Sequence, residues 1–169
     1  NLAANIFGRA SSAGSHEVIS QGTLDVALNV GGDDNTVVSG AGFFNRSLNF
    51  FGNGNTVRGE GGLGNVARNF LGNGNTSTTD AGNGNSATNI LGSDNSVTLT
   101  SGAGNIATSL LGNTNTVSVT GGDASSVATT VVSEKNGWLK MAAYGFTFSQ
   151  KTLTVRMTQA KAPAVKKTI

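Results

Sequence analysis

Residues 72–91 read GNGNTSTTDAGNGNSATNIL, and residues 52–71 and 92–111 follow the same arrangement with few changes. At a period of twenty residues, asparagine and glycine recur in fixed columns of the aligned sequence. The first asparagine column consists of Asn35, Asn55, Asn75, Asn95 and Asn115, and the second of Asn45, Asn65, Asn85 and Asn105. A glycine column lies between them, at Gly42, Gly62, Gly82, Gly102 and Gly122. Self-similarity at a fixed short period indicates units that each stack on their neighbours.

Each twenty-residue unit has room for two short strands and no helix. Two turns divide it into segments of about five to eight residues, which favour Val, Thr and alternating patterns. The fixed leucines of a leucine-rich repeat and the aspartate column of calcium-binding nonapeptide repeats are both missing. We therefore predict an all-β fold, a β-solenoid of about five to six coils with a 20-residue period, followed by a C-terminal β segment.

The repeat divides the chain into three parts. Residues 35–134 hold five 20-residue solenoid repeats, and residues 135–169 form a basic strand segment. Residues 1–34 are predicted to form a degenerate coil that acts as a cap or an assembly end. In this coil Gly22, Asp25, Ala27, Asn29 and Gly32 fall at the phases of Gly42, Asn45, Ser47, Asn49 and Gly52.

Charge is distributed unevenly along the chain. Residues 1–134 carry four arginines and all nine acidic residues, whereas residues 135–169 carry seven basic residues and no acidic one. Two interpretations are open: the basic tail is solvated, or it docks on an acidic surface of its own chain or of a neighbour. Because the chain has no cysteine, disulfides and thiolate metal sites are excluded.

The asparagine columns have two physical explanations. In a parallel stack, identical residues lie above one another about 4.8 Å apart, so each carboxamide can hydrogen-bond to the next along the axis. A buried amide needs such a partner because burial without one is costly. Alternatively, the asparagines occupy left-handed backbone positions at the turns, which this residue tolerates.

Alternation along the strands predicts which side chains face solvent. The columns of Val37 and Ser39 and those of Asn45 and Ser47 are expected to point inward. Parity then directs one apolar column outward: Phe50, Phe70, Ile90 and Leu110. It directs the next column inward: Phe51, Leu71, Leu91 and Leu111. An exposed apolar strip usually marks an interface; the alternative is that alternation breaks near the turn and both columns enter the core.

The C-terminal segment has strand character of its own. Leu153, Val155 and Met157 alternate with polar residues, and Lys151 and Arg156 add positive charge. A solenoid must cover its open end, so this segment either caps its own chain or is donated to a neighbouring copy by β-augmentation. We prefer donation, which makes these five residues part of the predicted assembly interface.

Signatures of catalysis and of ligand binding are lacking in the sequence. His16 is the single histidine and lies in the N-terminal region, so a Ser/His/Asp relay or a histidine metal cluster is not expected. Glu60 and Asp80 share a column, and we interpret them as solvated charges at strand ends. We expect no enzyme activity, no cofactor, no metal and no nucleic-acid partner. No apolar run reaches the roughly 20 residues of a membrane span, and the start at Asn1 leads us to expect a secreted protein.

Several segments resemble half of the curlin repeat, G-x-x-N-x-A: Gly62 to Ala67, Gly82 to Ala87 and Gly102 to Ala107. The Asn-Thr or Asn-Ser openings at Asn55, Asn75, Asn95 and Asn115 resemble its other half. Curlins are secreted bacterial subunits that form β-solenoid amyloid fibres in the biofilm matrix, so the resemblance implies an extracellular, fibre-forming role. The chain departs from the family in its shorter repeat, in Leu71, Leu91 and Leu111 at positions of a glutamine, and in its basic tail.

The sequence thus favours a secreted structural subunit that polymerises head-to-tail with itself into a filament, fibre or surface layer of the biofilm or cell-surface type. The cell surface or the matrix is a further expected partner. A second hypothesis is a module that binds ice or another flat surface through the hydroxyl side chains of Thr76, Thr78, Ser96, Thr98 and Thr100. A third is an adhesin domain, for which the repeats offer no aromatic platform.

Overall fold

The structure is a computed structural model. It describes residues 1–12, 14–114 and 116–120, together with the backbone of residues 127–135, 138–146 and 154–158. The described residues form β-strands and no helix, and the strands belong to two sheets. Sheet A contains β1 (Leu2–Arg9), β3 (Val26–Asp33), β5 (Arg46–Phe50), β7 (Val66–Phe70), β9 (Ser86–Ile90), β11 (Ile106–Ser109), β13 (Val127–Lys135) and β14 (Trp138–Phe146). Sheet B contains β2 (Glu17–Ser20), β4 (Thr36–Ser39), β6 (Thr56–Gly59), β8 (Thr76–Thr79), β10 (Ser96–Leu99), β12 (Thr116–Thr120) and β15 (Thr154–Thr158).

From β1 to β13, successive strands alternate between the two sheets, so the chain winds as a β-solenoid of about six coils. The predicted fold class is therefore confirmed. Strands of neighbouring coils pair in parallel and in register at the sequence period, as Asn49 with Asn69 and Val57 with Ser77. The first coil is longer, because Leu2 pairs with Val26 whereas Val26 pairs with Arg46. Residues 1–34 thus contain β1 and β2 as well as β3, which is more than the single degenerate coil expected.

Two corners connect the sheets in each coil. The first corner, residues 51–55 in the third coil, leads from sheet A to sheet B, and the second, residues 61–65, leads back. Gly52 shows why this position is glycine: its φ is 127°, and an added Cβ would overlap the carbonyl oxygen of Gly72 in the next coil. Close backbone approach at the corners lets the coils stack without a gap.

The interior lies between the two sheets and is only partly apolar. Sheet B contributes Val37, Val57, Val97 and Val117, and sheet A contributes Ala27, Ala67, Ala87 and Ala107, all buried. The apolar side chains form two clusters, one toward each end of the described solenoid. Between them, strand β8 places Ser77 and Thr79 in the interior. The inward direction predicted for the Val37, Ser39, Asn45 and Ser47 columns is confirmed.

The C-terminal strands reverse direction. Strand β14 pairs antiparallel with β13, and β15 pairs antiparallel with β12, so both sheets end in strands of the same chain. The C-terminal segment therefore caps its own solenoid in this structure, which is the arrangement we did not prefer. In this register Val155 and Met157 pair with Val119 and Val117.

Candidate functional site

The outer face of sheet A is the most apolar surface of the described solenoid. Three columns of outward-facing side chains run along it. In strand β5 their members are Arg46, Leu48 and Phe50. The third column contains Ile6, Val30, Phe50, Phe70, Ile90 and Leu110, as predicted for its four later members. Phe50 and Phe70 stack with ring centroids 5.1 Å apart and planes inclined by 3°. Each of the six coils thus presents an aliphatic or aromatic side chain at this position.

A second apolar column lies beside the first, and here the prediction was wrong. Phe51, Leu71, Leu91 and Leu111 are exposed rather than inward-facing, with Phe51 at 54%. The reason is the backbone: Phe51, Leu71 and Leu91 have φ of 54–55°, in the left-handed region, which ends strand alternation. The expected alternative, in which both columns enter the core, is also wrong. Together with Phe7, the two columns form what we call the apolar stripe.

The outer face of sheet B is polar. A hydroxyl column follows its coils, with half-buried side chains at Thr36, Thr56, Thr76, Ser96 and Thr116. Charged residues lie toward the N-terminal coils, where Arg58 Nε contacts Glu60 Oε1 at 2.9 Å. A depression of about 320 Å³ opens between these side chains and Glu17, over Val38 and Gly40.

The predicted asparagine columns lie at the corners and are buried from Asn35 to Asn105. Their side chains form hydrogen bonds along the axis, mainly to backbone groups rather than to one another. Asn65 Oδ1 accepts from the N–H of Asn85 at 3.0 Å, and Asn65 Nδ2 donates to the carbonyl of Gly82 at 2.9 Å. The same oxygen contact recurs from Asn35 to Asn55, Asn55 to Asn75, Asn75 to Asn95, Asn45 to Asn65 and Asn85 to Asn105.

Both explanations of these columns therefore need correction. A contact between carboxamides of this set occurs at Asn105, whose Nδ2 donates to Asn85 Oδ1 at 3.2 Å. Left-handed backbone occurs at the residue before the asparagine, as in Asp34, Phe44 and Asp94. From Asn35 to Asn95, the asparagines instead hold the next coil by satisfying backbone groups that the corner leaves unpaired. Asn115 lies outside the described residues.

A third asparagine column was missed by the sequence reasoning. In sheet A, Asn49 Nδ2 donates to Asn29 Oδ1 at 2.7 Å, and Asn69 Nδ2 donates to Asn49 Oδ1 at 2.8 Å. Asn29 continues the chain of amides to Asn5 at 2.9 Å. This is the amide ladder that was expected at the corners. The signal was present in the sequence, because these residues recur every twenty positions with the parity of the inward-facing Ser47.

The first coil replaces corner asparagines by other acceptors. His16 lies where later coils have the first-column asparagine, and its Nδ1 accepts from the N–H of Asn35 at 3.3 Å. Asp25 takes the second-column position and accepts from the N–H of Asn45 at 2.9 Å. Nearby, hydrogen bonds from the hydroxyl and the backbone N–H of Ser11 hold the pKa of Asp34 below its ordinary value of 3.8. His16 thus has a structural contact in the corner.

Some predicted interface residues lie beyond the apolar stripe. Val155, Arg156 and Met157 are in β15, paired with the last coil of their own chain. Lys151 and Leu153 lie outside the described residues. Strand β15 belongs to sheet B, so the structure does not bring Val155, Arg156 and Met157 together with Phe50 and its column in sheet A.

Within the described part of the chain, no group of three or more His, Cys, Asp or Glu residues is arranged to hold a metal ion. The same part contains no helix with the length and hydropathy needed to cross a membrane. Comparison with protein-family models, with curated proteins and with solved structures finds no match to this chain.

Proposed function

We propose that this protein is a secreted structural subunit that associates with copies of itself into a filament, fibre or surface layer. The observation that carries the proposal is the apolar stripe, which presents apolar side chains from the first coil to the last described one. Extended apolar patches are uncommon on monomers and mark interaction surfaces. The role is non-catalytic and needs no cofactor.

The repeat itself supports a copy of the same chain as the partner. Because coils stack in register, the stripe offers the same geometry every coil, about 4.8 Å apart. A second solenoid has the same spacing along its own axis, so contacts made in one coil recur in the next. The extracellular location and the matrix role rest on the resemblance to curlin repeats, and fractionation of producing cells tests the location.

Substitution of the exposed corner column tests the proposal. Leu71→Asn combined with Leu91→Asn removes apolar surface at two left-handed positions, where asparagine is tolerated. The matched control is Leu24→Asn combined with Phe44→Asn, since both residues are exposed and left-handed but lie at the second corner. We expect sedimentation velocity and electron microscopy to show assemblies for the wild type and the control, and their loss in the stripe variant. A wild-type chain that stays monomeric at all salt and protein concentrations contradicts the proposal.

A second candidate function rests on the hydroxyl column of sheet B. Five hydroxyl side chains, one per coil, lie in register on a parallel sheet, a regular array that suits ice or another flat surface. The charged pair Arg58 and Glu60 interrupts the adjoining columns. Thermal hysteresis at high protein concentration would support this candidate, and its absence together with absent inhibition of ice recrystallisation would remove ice as the ligand.

A further inference from the structure

We propose that two copies join through unlike faces, with the outer face of sheet A of one copy packed on the outer face of sheet B of the next. The inference rests on the proposed function, because it states how the self-association occurs. It replaces head-to-tail stacking by lateral contact, and it follows from charge, spacing and shape.

The two faces carry opposite charge. Among the described residues, the charged side chains of the three outer columns of sheet A are Arg46 and Arg68. Among the side chains that the structure describes, the outer face of sheet B instead carries Glu17, Glu60 and Asp80, against Arg58. Outer columns whose charged side chains are basic and a face that is predominantly acidic attract each other, whereas two copies of either face repel.

The charges also match in spacing along the solenoid axis. Arg46 and Arg68 lie in the adjacent strands β5 and β7. Glu60 and Asp80 follow the adjacent strands β6 and β8, and the N–H of Glu60 donates to the carbonyl of Thr79 at 2.8 Å. Each pair is therefore separated along the axis by one coil, about 4.8 Å. Arg46 and Arg68 also lie in neighbouring columns, because Arg46 pairs with Val66 and Arg68 pairs with Leu48. A neighbour shifted by whole coils can thus place one arginine opposite the column of Glu60 and Asp80.

Arg68 has an unmet hydrogen-bonding need on this face. Its Nε is buried and has no hydrogen-bond partner among the described residues. Leu48 and Thr88 flank it in the same column. A buried donor without an acceptor is unfavourable, and a guanidinium is well matched to a carboxylate in geometry. Because the Nε itself is closed to solvent, a carboxylate brought by a second copy would contact the accessible part of the half-buried Arg68 side chain.

The outer faces of the two sheets also differ in shape. Sheet A carries the stacked, half-buried rings of Phe50 and Phe70, whereas sheet B has the depression of about 320 Å³ over Val38 and Gly40. A cavity of about 150 Å³ already accommodates a benzene ring. The depression is therefore large enough for one aromatic side chain, and Glu17 and Glu60 lie at its rim.

Contact between unlike faces does not produce a closed dimer. A copy bound through sheet A still offers its sheet B, so a third copy can add in the same way. Packing of sheet A on sheet A would instead stop at a symmetric dimer. The unlike arrangement thus yields the extended assembly that the proposed function requires.

Charge reversal on the full-length chain tests the inference. One variant carries Arg46→Glu and Arg68→Glu, and the other carries Glu60→Lys and Asp80→Lys. Each makes both faces of its own copy alike in sign, so we expect each alone to need about tenfold or more protein for association. An equimolar mixture should restore association, since each face then meets an opposite one. Sedimentation velocity measures the association, with circular dichroism and thermal melting to verify folding.

Each alternative has its own outcome. Loss of association on arginine reversal, with no effect of the Glu60 and Asp80 reversal, shows that sheet A does not pair with sheet B and overturns the inference. Unchanged association in both variants indicates sheet A on sheet A or contact through the solenoid ends and also overturns it, while the proposed function stands. A monomeric wild type overturns both. If a reversed variant fails to fold, the salt dependence of wild-type association still tests the inference. Association through unlike charges must weaken between low and high salt.

Discussion

The carboxamide oxygen of Asn65 accepts a hydrogen bond at 3.0 Å from the backbone N–H of Asn85, twenty residues further along the chain. The Nδ2 of Asn65 donates to the carbonyls of Gly61, in its own corner, and of Gly82, in the next one. One side chain thus joins two coils at a position where strand pairing has ended.

Replacement of this side chain should destabilise the solenoid. We expect Asn65→Ala to lower the free energy of unfolding by about 2–4 kcal/mol, since it leaves buried backbone groups without partners. Asn83→Ala is the control: Asn83 accepts from the N–H of Leu63 at 2.9 Å in the same corner but is exposed. Its loss should cost less than about 1 kcal/mol, because water can replace the bond. Equal losses for the two variants in urea unfolding would contradict the role given to Asn65.

Removal of a buried hydroxyl should have the opposite effect. Thr79 Oγ1 is buried and has no hydrogen-bond partner among the described residues, and Leu99 occupies the same column in the next coil. Thr79→Val keeps the shape and should stabilise the protein by about 1 kcal/mol. Thr78→Val, on the outer face of the same strand, should change stability by less than about 0.5 kcal/mol. A destabilised Thr79→Val variant would show that the hydroxyl is satisfied.

Alanine substitution at two glycines of one corner distinguishes the cost of steric overlap from the cost of backbone strain. At Gly52 an added Cβ would overlap the carbonyl of Gly72, whereas at Gly54, with φ 62°, it would meet nothing within 4 Å. Gly54→Ala should therefore cost about 1–2 kcal/mol for its left-handed backbone alone. Gly52→Ala should cost about 3 kcal/mol or more, because the coils must move apart. Thermal unfolding of the two variants measures the difference, and similar costs would argue against the close stacking.

Acid should loosen the first coil through Asp34. Its pKa is lowered in the folded protein, so the stability it contributes is present above the unfolded pKa of about 3.9 and is lost as pH falls through the lower folded pKa. Asp34→Asn, which tolerates the same left-handed φ of 57°, should remove this part of the pH dependence. Hydrogen exchange at the Ser11 amide between pH 6 and pH 2 measures the effect. Identical profiles for the wild type and the variant would exclude it.

Truncation distinguishes a cap from a donated strand. Deletion of residues 138–169 removes β14 and β15 and exposes the edges of β13 and β12. Exposed edge strands template further pairing, so we expect more aggregation than for the full chain. A truncated chain that stays folded but no longer assembles would instead support donation to a neighbour. Light scattering at matched concentrations separates the two results.

The period of the sequence was sufficient to predict the fold. In a parallel stack, a side chain needs the same environment in each coil, so Asn49, Asn69 and Asn89 recur at the spacing at which their strands pair. Alternation was sufficient within strands, and it placed Val57 and Ala67 in the interior as the structure does. Alternation relates residues that are adjacent in the sequence, and the period relates residues at one fixed offset of twenty positions. Both rules can therefore be applied without knowledge of the tertiary structure.

The directions and partners of the corner side chains, and the face on which each charged residue lies, were decided by the tertiary structure. The inward and outward alternation of side chains ends at a residue with left-handed backbone. The outward direction of Phe51 therefore follows only from its φ of 55°. The partners of Asn65 are backbone groups, whose positions no pattern of side chains reveals. The sequence alone determined that this chain winds into stacked coils, because repetition and alternation are local. Only the folded chain decided that Arg68 and Asp80 lie on opposite faces, since the turn between them sets which sheet each joins.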